Sequence, residues 1–197
     1  VLDTLPITVL VKGTKEGYKE SETTILSFTE RLNENYNIYF GQIHAHTSYS
    51  DGAGTCEEAF QYATNVDNLD FLAVTDHSNS LDNANSASIS DGSMSTEWVE
   101  GHELADKYTT DDFVGLYGFE MTWSNGLGHI NTFNTAGFQS RTQTEYSTYS
   151  TALQNYYATL KKDTGSISQF NHPGTTFGDF SDFSYYDDEI DELINLI

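Results

Sequence analysis

Ile43-His44-Ala45-His46-Thr47-Ser48-Tyr49-Ser50-Asp51-Gly52 decides how this chain is read. Two histidines stand two positions apart where a strand pattern runs into a turn. On a strand, residues i and i+2 face the same side, roughly 6.6 Å apart along the chain. Imidazoles so placed can converge on one cation, and Asp51 can return from the loop to add an oxygen. The chain has only six histidines, so the pairing counts. His44, His46, His77, His129 and His172 sit in compact, polar, glycine-flanked contexts. His102 lies instead within Thr96-Glu97-Trp98-Val99-Glu100-Gly101-His102-Glu103-Leu104-Ala105-Asp106, an amphipathic helix pattern, and reads as a surface or structural residue.

At 197 residues the chain has one domain's worth of sequence, long enough for a substantial core. Lys+Arg 8 against Asp+Glu 30 gives a net charge of −22. Nothing offsets phosphate repulsion at that charge, so nucleic acid is not the main partner. An aromatic share of 14% argues against a disordered acidic tail. The single cysteine, Cys56, excludes an intramolecular disulfide and a multi-cysteine zinc site. It reads as a small apolar residue in a helix first turn. No apolar run approaches the roughly 20 residues that span a bilayer. The start at Val1 leaves room for a removed upstream segment. Low lysine with abundant Asn, Ser, Thr and Tyr points to an extracellular or cell-surface bacterial protein.

Residues 1–36 differ from the rest. Residues 5–12 alternate like a strand, 13–17 read as a turn and 23–28 as a second strand. This is a β-rich lead-in, or the tail of an upstream module. From 37 to 197 strand and helix patterns alternate. The first strand spans 38–43. Thr55-Cys56-Glu57-Glu58 then fits a capping box that opens a helix to about Val66. Phe71-Leu72-Ala73-Val74-Thr75 is continuously apolar, as in a strand buried on both faces of a parallel sheet. Residues 78–95 predict a long surface loop of the kind that often forms a lid or binding segment. A helix at about 96–108, strands at 113–120 and 129–134, a helix at about 143–162 and a strand at 166–170 follow. A short acidic helix then leads into a strand at 193–197. The chain stops on that apolar strand, which predicts a fragment of a larger multidomain chain.

The chemistry-bearing residues fall at strand ends. His44 and His46 close the first strand of the alternation, Asp76-His77 the second, Glu120 the third and Asn171-His172-Pro173-Gly174 a later one. His129 differs, sitting at a strand start. In barrels of parallel strands the C-terminal rim is where sites are built. Each piece alone has an ordinary reading: an accidental His-x-His, a turn at Asp51-Gly52, a salt-bridge carboxylate at Glu120. Together they point to a metal centre. Asp76 is either a ligand or an acceptor orienting a metal-bound imidazole. Acidic runs such as Asp187-Asp188-Glu189 read as solvated faces.

With these residues assembled, the chain resembles the PHP (polymerase and histidinol phosphatase) family. His44-Ala45-His46-Thr47-Ser48-Tyr49-Ser50-Asp51-Gly52 matches its first motif and Thr75-Asp76-His77 its second. Glu120, His129 and Asn171-His172-Pro173 fit the later ones. Gly128-His129-Ile130-Asn131 and Phe170-Asn171-His172-Pro173-Gly174 look most like the secreted bacterial metallohydrolases of that superfamily. The resemblance covers residues 38 to 197. It implies a distorted (β/α)7 TIM-like barrel, incomplete at its C-terminus, with two or three divalent ions (Zn, Mn or Fe) at the rim. Carried over by position, His44, His46 and Glu120 would hold one ion and Asp51 and His77 a second. His129 and His172, with Glu120 bridging, would hold a third. Asp76 and Glu120 would be the catalytic carboxylates. The family's last motif, Asp-x-His, has no counterpart here, which would leave the first two ion sites each one ligand short.

The function implied is metal-assisted hydrolysis of a small-molecule substrate, with a phosphoester as the first reading. Divalent ions would reverse the repulsive local field of an acidic protein. Hydrolysis of a non-phosphate ester or amide is the alternative, kept open by the lack of an evident Arg or Lys clamp near the motifs. A non-catalytic metal-stabilised module of a large surface protein is the third reading.

Overall fold

The structure, a computed structural model, describes residues 7–11, 24–28, 37–67 and 69–196. The chain divides into two units, Val1–Tyr39 and Phe40–Ile197. In the first, β1 (Ile7–Val11) pairs antiparallel with β2 (Thr24–Phe28), Ile7 opposite Phe28. The turn expected at 13–17 lies outside the described residues.

The second unit begins with β3 (Gly41–Gln42), β4 (Phe71–Val74) and β5 (Val114–Tyr117), a parallel sheet in the order β3-β4-β5. β4 is the apolar run expected to be buried on both faces, and Leu72, Ala73 and Val74 are all buried. Helix α1 (Cys56–Tyr62) links β3 to β4. Its capping box is present: the Glu58 N–H donates to Thr55 Oγ1 at 3.1 Å, and the Thr55 N–H donates to Glu58 Oε2 at 2.8 Å. Cys56 and Phe60 face the core, and the chain continues through a π-helical turn at Ala63–Asp67.

Helix α2 (Thr96–Tyr108) buries Trp98, Gly101 and Ala105. Ser95 caps it, and Asp82 braces the cap by accepting from the Ser95 hydroxyl and the Thr96 N–H. Residues 78–95 are therefore not the solvated lid that their polarity predicts. Leu81, Ala84 and Ile89 are buried, which makes the segment a strap packed on the core.

The expected barrel is not what forms. Residues 113–120 do not make one strand. They break at Gly118 into β5 and β6 (Phe119–Trp123). β6 pairs antiparallel with β7 (Gly128–Phe133), β7 antiparallel with β8 (Ile167–Asn171), and β8 parallel with β9 (Ile194–Leu196). The described residues thus hold a three-stranded parallel sheet and a four-stranded mixed one, with no closed (β/α)7 barrel. The reason is connection length. Parallel neighbours need a crossover of about a dozen residues or more, and only residues 124–127 separate β6 from β7. The chain has to turn straight back.

Backbone hydrogen bonds stitch the two sheets together across that break. The Gly118 N–H donates to Val74 O, the Glu120 N–H to Asp76 O and the Ser78 N–H to Glu120 O, each at 3.0 Å. Asp76 and His77 therefore run on from β4 alongside β6. The long helix expected at 143–162 is also two helices, α3 (Thr144–Ser147) and α4 (Tyr149–Leu160), broken where Thr148 takes an extended conformation. α4 buries Leu153, Tyr156, Tyr157 and Leu160. Its Tyr156 hydroxyl meets Thr132 Oγ1 at 2.7 Å on β7. No helix among the described residues is long and apolar enough to cross a membrane.

Gly101 exposes how tightly α2 sits on β5. Alanine in a helix interior ordinarily gains about 1 kcal/mol over glycine. A Cβ here, however, would lie 2.2 Å from Cζ of the buried Tyr117. Gly101→Ala should therefore destabilise the protein, by about 1–3 kcal/mol. Urea denaturation checks the sign, and a gain in stability would refute this packing.

Candidate metal centre

Three strand ends and one tight loop deliver the polar residues to a single rim. β7 runs antiparallel to β6, so its first residues lie beside the last residues of β6, and His129 faces Thr122 in register. On the other side His129 faces Asn171, the last residue of β8. The strand-start position of His129 is thus what places it with the strand-end histidines.

Glu120 is the centre of the cluster. It is 0% exposed, and five imidazoles surround its carboxylate. His44 Nε2, His129 Nδ1 and His172 Nε2 lie 3.4, 3.3 and 3.5 Å from Oε1. His77 Nδ1 and His46 Nε2 lie 2.6 and 3.9 Å from Oε2. The Asn171 side-chain amide donates to Oε1 at 2.8 Å, and the Thr122 hydroxyl donates to Oε2 at 2.8 Å. Asn171 also donates to Asn131 Oδ1 at 2.7 Å, and Asn131 donates to the Ile43 carbonyl at 3.1 Å. This chain of amides ties β6, β7 and β8 to the segment carrying His44 and His46.

Three hydroxyls hold the Nδ1 atoms of three rings; in His44 and His46 this nitrogen is turned away from Glu120, and in His77 it lies beside it. Thr75 Oγ1 meets His44 Nδ1 at 2.8 Å, Ser50 Oγ meets His46 Nδ1 at 3.2 Å and Thr122 Oγ1 meets His77 Nδ1 at 2.7 Å. The Ser50 hydroxyl proton is committed to Asp76 Oδ1 at 2.5 Å. Ser50 Oγ can then only accept from His46, which fixes the proton on Nδ1 and leaves the Nε2 lone pair facing Glu120. Thr122 likewise gives its proton to Glu120 and accepts from His77 Nδ1, which leaves the Nε2 lone pair of His77 on the side of Asp51. Tying one ring nitrogen in this way orients the other for a metal ion.

Asp76 works behind this layer. Its oxygens accept from the Thr47 N–H, the Thr47 hydroxyl (both 2.7 Å) and Ser50. It anchors the loop after His46 rather than touching a histidine. The loop closes tightly: the Gly52 N–H donates to Thr47 O at 2.9 Å, and a Cβ at Gly52 would fall 2.2 Å from His46 O. Asp51 is the outermost member, its side chain 70% exposed, with Oδ1 3.7 Å from His46 Nδ1 and Oδ2 3.6 Å from His77 Nε2. His172 has a left-handed backbone (φ 31°), a conformation that costs energy and concentrates at functional sites. The Phe177 ring lies 4.5 Å from His172 and walls the cluster on that side.

All seven residues expected as ligands, His44, His46, Asp51, His77, Glu120, His129 and His172, lie in this one neighbourhood. Their grouping differs from the expected one. Ligand atoms converge as His44, Glu120 and His172, and as His46, His77 and Glu120. His102 lies apart, its ring 4.6 Å from Trp98 and 5.3 Å from Tyr117. The sequence reading missed the three hydroxyls. Thr122 carries a usable signal, being two residues from Glu120 on the same strand face. It also missed Arg141, which donates to the Thr122 carbonyl at 3.0 Å and is far from every motif in sequence.

The donor set fits divalent cations of the Zn, Mn or Fe type: imidazole nitrogens and carboxylate oxygens aimed at common points. His129 Nδ1 is a further sign, a buried nitrogen without a hydrogen-bond partner. The electrostatics agree. Burial pushes the His44 pKa down to about 4 against the pull of Glu120. Burial and the neighbouring His77 lower that of His46. Both rings are thus held neutral, as ligands must be. Burial opposes ionisation of Glu120, yet the surrounding histidines and Asn171 hold its pKa well below the carboxylate range. For His77, burial is outweighed by Glu120, and its pKa rises.

No protein-family model matches the chain, and no curated protein matches it. Among solved structures it is similar to a two-domain protein of Bacteroides vulgatus containing a predicted PHP-like metal-dependent phosphoesterase, at 21% identity and a TM-score of 0.42. The match covers 69% of this chain and 35% of that one, so this chain spans about a third of that protein's length. At that distance the likeness decides neither fold nor function, which rest on the site itself.

Two outcomes follow from the geometry. Ser50→Ala should weaken metal binding by roughly 10–100-fold, the usual cost of losing an outer hydrogen bond to a ligating histidine, and Ser50→Thr should restore it. Calorimetric titration with zinc or manganese measures both. The second concerns pH. His44 titrates near 4 when folded and near 6.5 when unfolded, so the unfolded chain binds more protons between those values. Metal-free stability should therefore fall as pH drops from 6.5 to 4, with His46 adding to the loss. The stabilisation from His77 is fully present below its unfolded value of 6.5 and disappears only as pH rises through its raised pKa, so it does not offset the acid loss. Urea midpoints across that range test this, and His44→Gln should flatten the profile.

Proposed function

We propose that this chain is a metal-dependent hydrolase of the PHP type and that its substrate is a phosphoester. The observation that supports it is the convergence of five imidazoles on one buried carboxylate, two of them (His44 and His46) with the ring nitrogen turned away from it tied to a hydroxyl. A merely structural histidine cluster has no need of two neutral imidazoles facing an anion.

In this reading His44 and His172 would hold one ion with Glu120, and His46 and His77 another. Asp51 and His129 lie within reach to complete the shells. When bound, divalent ions acidify water and polarise the scissile phosphoryl oxygen. Every other part of the chemistry belongs to this chain's own residues. Glu120, ionised and enclosed, sets the negative potential that draws cations in. Ser50 and Thr122 fix the proton of His46 and His77 on Nδ1, and Thr75 holds His44 through the same ring nitrogen. Asp76 acts as a positioning residue through Ser50, since its oxygens are taken up by Thr47 and Ser50 and reach no reacting group. Phe177 shields the side next to His129 and His172.

The phosphoester is favoured over a neutral ester or amide by Arg141. This guanidinium donates to the carbonyl of Thr122, whose hydroxyl contacts His77, and so brings a cation next to a centre whose motifs carry none.

The test is turnover by the full chain, stripped of metal and then given manganese or zinc. p-Nitrophenyl phosphate, bis(p-nitrophenyl) phosphate and p-nitrophenyl acetate serve as substrates. Metal-dependent release from a phosphate ester is expected, reduced by at least roughly 100-fold in Glu120→Gln, beyond the range typical of outer hydrogen-bond partners. Metal binding with no turnover of any of the three would refute the enzyme reading.

A further inference from the structure

We propose that the cavity at the C-terminal end of β6, lined by Trp123, Ser124, Asn125, Arg141, Thr142 and Ser147, is an anion subsite that receives a phosphoryl oxygen of the substrate. The proposal rests on the hydrolase reading above for its ligand and on the residues around Arg141 for its geometry. The cavity has a volume of about 330 Å³, at the lower end of the range for small-molecule sites. None of its six lining residues is acidic, in a chain with 30 Asp+Glu against 8 Lys+Arg. No lining carboxylate therefore competes with an anionic ligand for the arginine.

Arg141 is half-buried and joins no ion pair among the described residues. The lysine–carboxylate pairs there belong to Lys107 and Lys161. One guanidinium N–H is committed to the Thr122 carbonyl at 3.0 Å, which leaves most of its donors free for the paired oxygens of a phosphate. Burial without a counter-charge also depresses the Arg141 pKa, the mark of a cation better matched when an anion is present. Asn125 Oδ1 accepts from the Leu127 N–H at 3.3 Å, so its amide nitrogen remains a donor. Thr122 joins cavity to centre: its carbonyl holds Arg141 while its hydroxyl holds His77.

Inorganic phosphate is the probe. In the metal-free full chain, phosphate should bind and raise the melting temperature in a saturable way. Arg141→Gln should weaken that binding by at least roughly 10-fold, the loss expected for a hydrogen bond to a charged group. Asn125→Asp keeps the acceptor for Leu127 and adds a negative charge to the hollow, so it should weaken phosphate binding without disturbing the fold. It stands in should Arg141→Gln unfold. Loaded with manganese, both variants should raise KM for p-nitrophenyl phosphate and leave KM for p-nitrophenyl acetate unchanged. Equal phosphate binding in wild type and both variants, or no binding in wild type, overturns the subsite. Equal KM values overturn its assignment to substrate. Phosphate held through Arg141 in a chain that hydrolyses nothing refutes the hydrolase reading and leaves the anion site standing.

Discussion

A carboxylate with no exposed surface is the constraint around which this protein is arranged. Moving a lone anion out of water costs several kcal/mol even after the protein relaxes, so the surroundings of Glu120 have to offset that cost. They do so on both oxygens: the Asn171 amide donates to Oε1, and the Thr122 hydroxyl and His77 Nδ1 stand at Oε2, with His44, His129, His172 and His46 packed around them. Neutral rings supply dipoles rather than charge, so the arrangement as it stands is short of positive charge. The raised pKa of His77 answers part of that need. A divalent ion answers it more fully.

The backbone meets this constraint with an unexpected device. β7 returns antiparallel along β6, and that reversal gathers residues from strand starts and strand ends at one rim. The parallel half of the unit carries His44, His46 and His77 to the same place by the more familiar route, off the ends of β3 and β4. The junction lies at Gly118, where one sheet stops and the other begins. The backbone hydrogen bonds of Gly118, Glu120 and Ser78 continue across it.

How much of this was legible in the sequence depends on the kind of signal. The ligand candidates were, because histidine is scarce and five of the six stand at element boundaries, two as a His-x-His pair and three beside an aspartate, a glycine or a proline. The capping box at Thr55 and the doubly buried β4 were legible too, since both are local patterns. Strand direction was not: the apolar alternation of Gly128–Phe133 is identical whether the strand runs up or down, and only the short span 124–127 reveals it. The helix break at Thr148 escaped because the tyrosine and leucine stripe keeps its helical spacing across it. The strap at 78–95 was misread because its three buried anchors, Leu81, Ala84 and Ile89, are too widely spaced to register among so many polar neighbours. Arg141 and Thr75 were invisible for a simpler reason: they reach Thr122 and His44 only through tertiary packing.

The β6–β7 hairpin also separates the site in time. Glu120, Thr122 and His129 belong to one short antiparallel pair, whose contacts are local and close within microseconds. The link between Asn131 and Ile43 bridges 88 residues and has to wait for a much larger loop to close. Loop-closure entropy thus favours a template, the buried carboxylate with one imidazole, onto which the His44–His46 segment would dock later. An ion that binds both halves stabilises the final docking step most of all, so metal availability would govern how fast the last step of folding finishes as well as what the finished site can do.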